Sequence, residues 1–134
     1  MPTDTDATTV MQHEEAERAA RAARIAAQND AFRKAVIPCG PPCDLPGRVL
    51  VTRSVQARGD AFVRAALEAV AGDETFTPEN DPYGDHGFGA VIVEATRVWW
   101  RIDLFDLDFR FDSEQPDDPD ATTRVLTIML PEDH

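Results

Sequence analysis

The densest group of side chains that could do chemistry in this 134-residue chain is Glu79-Asn80-Asp81-Pro82-Tyr83-Gly84-Asp85-His86-Gly87. His86 suits general-base work or metal ligation, with Asp81, Asp85 or Glu79 close enough in sequence to orient it or share a cation. Pro82 presets one turn, and Gly84 and Gly87 permit backbone angles that other residues resist, so the loop can be held rigid. The same residues also make an ordinary tight loop in which Asp and Asn side chains bond their own backbone. A second set of carboxylates follows at Asp103, Asp106, Asp108 and Asp112. It is no EF-hand, because Phe105 and Leu107 would stand at ligand positions and Asp108 where glycine is needed. Asp103 and Asp106 joined to Asp81, Asp85 and His86 would suit Mg²⁺ or Mn²⁺. Otherwise they form a charged strand edge that deters association between sheets.

Cys39 and Cys43 lie in CGPPC. Two ligands do not complete a tetrahedral zinc site, and a reducing compartment disfavours a disulfide there. No P-loop, dinucleotide-binding glycine pattern, nucleophile elbow or HExxH is present. No cofactor is therefore expected.

The elements that must position these groups are legible in outline. Residues 1–12 hold little to bury and read as a disordered tail. An alanine-rich helix is expected over His13–Val36. Its second half carries Ile25, Phe32 and Val36 on one stripe and should dock, while its first half projects. The Pro-rich stretch 38–47 is a stiff linker within 38–134, which reads as a single α+β domain. A strand is expected at Arg48–Thr52 and a helix at Ala61–Ala71, with Asp60 as its N-cap and Gly72 as its stop. Strands Phe88–Glu94 and Arg97–Phe105 are close enough to form an antiparallel hairpin. In the second, Val98, Trp100, Ile102 and Leu104 share one face, and the phase slips near Asp106, as at a bulge or bend. Thr122–Leu130 is apolar on both faces and should be a central strand. The expected fold is α+β: a mostly antiparallel four-stranded sheet with two helices, in the order α-β-α-β-β-β.

Charge is unevenly spread. Residues 1–72 carry nine basic and nine acidic side chains, whereas residues 73–134 carry four basic and sixteen acidic ones, the whole of the net charge of -12. Such a surface repels nucleic acid and anionic membrane and attracts basic protein surfaces. Direct nucleic-acid binding is not expected, since the arginines of the first helix are offset by neighbouring glutamates. No apolar run approaches a membrane span, and the N-terminal residues lack the pattern of a secretory signal, so a cytoplasmic protein is expected. Trp99 and Trp100 point opposite ways on a regular strand, which makes Trp99 the candidate exposed aromatic, unless a packed helix covers it. Trp99, Tyr83, Asp103 and Asp106 are the expected interaction residues.

The blocks NDAFR (29–33), GRVLVT (47–52), FTPENDPYGDHGFGA (76–90), RVWWRIDLFD (97–106) and TTRVLTIML (122–130), in this order, resemble the bacterial family named domain of unknown function 3768. The resemblance covers roughly residues 25–131. The chain departs from the family pattern at Gly87, where an acidic residue is common, and in the pair Leu104-Phe105, where two aromatics are common and this chain has one. The resemblance implies a small bacterial protein, often plasmid- or element-borne. It carries no activity or site residues across. A non-enzymatic protein-interaction module for a basic partner is the leading expectation. In one form of it, carboxylates stand in for nucleic-acid phosphates. The alternative is a small metal-assisted hydrolase or nuclease, with Asp81, Asp85, His86 and Asp103 converging within metal-ligating distance.

Overall fold

A computed structural model of the chain describes residues 3–37, 40 and 43–134. Helix α1 spans Thr3–Lys34, strand β1 Gly47–Val51, helix α2 Arg53–Gln56 and helix α3 Asp60–Ala71. Strands β2 (Phe88–Val93), β3 (Thr96–Phe105) and β4 (Thr123–Met129) follow, and a single 3₁₀ turn closes the chain at Pro131–Asp133. Cys39 falls outside the described residues; Cys43 is a free thiol.

The sheet order is β1-β4-β3-β2. β2 and β3 pair antiparallel, as do β3 and β4, but β1 pairs parallel to β4. The sheet is therefore mixed, which corrects the mostly antiparallel expectation. The element order is also corrected to α-β-α-α-β-β-β, with three helices instead of two. α2 is four residues long, too short to show any helical periodicity in sequence. β1 sits beside β4, the last strand, so the chain between them must cross over. It runs through α2 and α3 to β2 at the far edge of the sheet, and β2 and β3 then lead back to β4.

β4 is central and buried on both faces, as its run of apolar residues requires. Trp100, Ile102 and Leu104 of β3 lie opposite Ile128, Leu126 and Arg124 of β4. This face packs under the helices. Phe32 of α1, Val55 of α2, and Phe62, Ala66 and Val70 of α3 complete one core with Val98, Trp100, Leu126 and Ile128. Two glycines make room for core aromatic side chains. A Cβ on Gly47 would fall 2.4 Å from the Phe32 ring, and one on Gly89 would fall 2.4 Å from the Trp100 indole nitrogen.

α1 begins before His13, where the expected helix starts. The added residues, TDTDATTVMQ, hold one alanine and no proline or glycine; once the alanine-rich stretch after them is nucleated, each extends the helix by one backbone hydrogen bond. Only its last three turns pack: Ile25, Ala26, Asn29, Phe32 and Arg33 are buried, while residues 8–21 are exposed. α3 starts one residue earlier than expected, so Asp60 lies inside its first turn and Gly59, at φ 100, takes the N-cap. The expected bend at Asp106 is a tight turn that ends β3. Oδ1 of Asp106 accepts from the backbone N–H groups of Asp108 (3.0 Å) and Arg110 (3.1 Å), and Phe109 adopts φ 59.

Candidate functional site

His86 comes to rest on the helix face of the sheet. Its Nδ1 lies 2.9 Å from Oδ1 of Asp30, so that ring nitrogen carries the proton and donates it to the carboxylate. Its ring stacks on Phe76 at 3.8 Å, the two planes nearly parallel. Its backbone N–H reaches Oδ1 of Asp81 at 3.2 Å, which helps to hold a φ of 54 in the left-handed region. Asp81 Oδ2 is 3.7 Å from Nε2, within ion-pair range and beyond a hydrogen bond. Asp30, His86, Phe76 and Glu74 line a hollow of about 360 Å³.

Behind His86 the contacts lead into the core. Asp30 Oδ1 also accepts from Arg33 Nη2 at 3.0 Å. Arg33 is wholly buried, and Nη1 donates to the carbonyls of Val70 and, at 3.2 Å, Ala71. Those are carbonyls of the last turn of α3, where the helix dipole favours a cation. The guanidinium lies 4.8 Å from the Trp100 ring, and the Trp100 indole N–H donates to Asp73 at 2.9 Å. Asn29 donates to the backbone carbonyl of Asp85 (2.9 Å) and accepts from Arg124 Nε (2.9 Å). Arg124 Nη2 donates to Gln28 at 2.6 Å, and Gln28 donates to the carbonyl of Asp117 at 2.8 Å. Burial lowers the Arg124 pKa. Asp85 is shifted the other way: burial first, and then the Asp81 carboxylate, raises its pKa above the ordinary aspartate value.

The residues expected to act together are therefore only partly assembled. His86 and Asp81 meet, and Asp85 is adjacent but spends its Oδ1 on the Gly87 N–H at 3.2 Å. Asp103 does not join them. It alternates with Ile102 and Leu104 along β3, leaves the opposite face of the sheet, and pairs with Arg101 at 3.0 Å. Asp106 holds its own turn. Among the described residues no three His, Cys, Asp or Glu side chains form a metal-ligating group. No hydroxyl or thiol among them hydrogen-bonds His86 Nε2.

Asp30, Arg33, Asn29 and Arg124 were absent from the sequence candidates. Two signals could have found them. Asn29 stands four residues after Ile25 and three before Phe32, a polar residue in mid-stripe. Arg124 is a charge in a strand apolar on both faces. Both patterns call for buried partners.

Of the expected interaction residues, Trp99 is half-buried on the open face, edge-on to Phe88 (5.5 Å) and His134 (5.7 Å). Tyr83 is exposed. Three residues not singled out from sequence are more telling. Leu107, Phe109 and Phe111 are 55%, 37% and 73% exposed on the β3–β4 connection. That connection also carries Asp106, Asp108, Asp112, Glu114, Asp117, Asp118 and Asp120, with Arg110 as its one basic residue. Asp106, Phe111, Asp112 and Glu114 line a hollow of about 350 Å³. The connection is braced. Arg24 binds Asp117 at 2.8 Å and lowers its pKa, and Thr122 Oγ1 donates to the Gln115 carbonyl at 2.8 Å.

The family described as "Protein of unknown function (DUF3768)" matches over residues 51–133. No curated protein and no solved structure matches the chain. No helix among the described residues is long and apolar enough to cross a membrane. The matched residues supply Asp81, His86, Trp100 and Arg124 to this network, and α1, which precedes the match, supplies Asn29, Asp30 and Arg33.

Proposed function

We propose, from the premise that this chain belongs to the DUF3768 family, that it is a non-enzymatic interaction module whose β3–β4 connection docks on a basic protein surface. The observation that carries the reading is the exposure of Leu107, Phe109 and Phe111 on a connection that also carries seven carboxylates. Three large apolar side chains on one short connection are costly to leave in water, and a partner surface would cover them. The carboxylates around them select a partner of opposite sign and speed its approach. Asp106 begins this connection and holds its first turn; Asp103 precedes it on β3 and is neutralised by Arg101.

The polar constellation around His86 supports this reading by what occupies it. His86, Asp30, Arg33 and Asn29 are engaged with one another and with backbone groups of α3 and the loop, which is how a fold clasps a helix. We place the protein in the cytoplasm, where the free Cys43 thiol stays reduced.

A titration of the ¹⁵N-labelled chain with an amphipathic peptide of arginine and leucine tests the proposal. Amide shifts are expected across residues 104–121, weakening with added salt and abolished by Leu107→Ser with Phe111→Ser. Shifts centred on residues 81–87, or shifts unchanged by the double substitution, would overturn it.

A further inference from the structure

We infer that the projecting half of α1 is a dimerisation arm that pairs antiparallel with the same helix of a second copy. At 32 residues α1 is roughly 48 Å long, yet it packs only through its final turns. An unpacked helical arm is marginal in water and gains most from a partner.

The charge order of the arm is self-complementary in one direction only. Glu14, Glu15 and Glu17 come first, and Arg18, Arg21 and Arg24 follow. Arg24 is held by Asp117. Among the described residues Glu14, Glu15, Arg18 and Arg21 form no ion pair, while Glu17 has only His13. A two-fold axis crossing between Glu17 and Arg18 places Glu17 opposite Arg18 of the second copy, and Glu14 opposite its Arg21. Parallel pairing would set like charges against each other.

The same register solves a second problem. Val10 and Met11 are 56% and 61% exposed on the arm. At the base of the arm lies a cleft of about 350 Å³, walled by Ala19, Ala22 and Ile25 of α1 and by Pro82 and Tyr83 of the loop. Val10 and Ile25 lie equally far from the axis, about 11 Å along the helix. Each copy's Val10 and Met11 therefore arrive at the other's cleft. Burying these apolar groups supplies affinity, and the ion pairs set direction, since exposed pairs contribute little by themselves.

The test is mass in solution by light scattering across a range of concentrations of the full chain. The wild-type chain is expected to reach a two-chain mass. Arg18→Glu with Arg21→Glu, and separately Glu14→Arg with Glu17→Arg, should each weaken self-association at least tenfold. Mixed together, the two variants should restore it, because every opposed pair becomes complementary again. Met11→Asp should dissociate the wild-type pair. All these positions lie outside the core, so circular dichroism should show the domain still folded. A single-chain wild-type mass at every concentration, undiminished association of either charge variant alone, or a mixture that stays monomeric would overturn the inference.

Discussion

His86 keeps its left-handed backbone angle because three contacts converge on it: its N–H on Asp81, its Nδ1 on Asp30 and its ring face on Phe76. Strain of this kind persists only where surroundings enforce it. Arg33 is the keystone behind it, since it bonds Asp30 and the end of α3 at once. Arg33→Ala should cost about 3–5 kcal/mol, because it leaves a half-buried carboxylate and two helix-end carbonyls without their donor. Urea unfolding measures this, and a loss under about 1 kcal/mol would deny Arg33 that role. Asp85 makes a pH-dependent prediction. Its pKa is raised in the folded protein, so its ionised form opposes folding above that pKa and the penalty fades as the pH falls through it. Asp85→Asn should therefore raise the melting temperature at neutral pH and lose that advantage in acid; an equal gain at both would contradict the shift. His86, Asp81 and Asp85 were legible as candidates from residue type and loop chemistry. Their true partner, Asp30, was not. It sits on a helix face that reads as solvated, 56 residues away, and no local pattern encodes such a contact.

The β2–β3 hairpin turns through Glu94 and Ala95, both at positive φ. Two-residue turns of this hand match the strand twist but suit Asn-Gly, so two ordinary residues here bear backbone strain. Ala95→Gly should relieve about 1 kcal/mol of it, read as a higher melting temperature. Gly89→Ala should do the opposite. Its Cβ would press on the Trp100 indole and the Asp73 carboxylate, at a cost of about 1–3 kcal/mol. The alternation in residues 97–105 and the two-faced apolarity of 123–129 made β3 and a central β4 readable. The parallel pairing of β1 with β4 was not, because it joins residues 77 apart that carry no shared local signal. α2 escaped for the opposite reason: one turn of RSVQ has no period to detect.

At the scale of the whole molecule, composition revealed the acidity but not its placement beside exposed aromatics, which depends on how the β3–β4 connection folds. Two carboxylates tie distant parts together. Arg24 lowers the pKa of Asp117, and Ser54, with the Leu130 N–H and Thr52, lowers that of Asp133. The stability they contribute is present above the ordinary aspartate pKa and is lost as pH falls through their lowered values. Asp133→Asn should accordingly lower the melting temperature at neutral pH and make no difference at strongly acidic pH. The exposed aromatics lead to the most direct measurement of the interaction role. A photoreactive phenylalanine analogue is placed at position 111 or, as control, at the exposed Arg64 of α3, and crosslinked in the living cell. Position 111 should yield an adduct with a basic protein, absent from position 64 and lost when Leu107→Ser is added. No adduct at 111, or equal yields at both positions, would contradict docking through the β3–β4 connection.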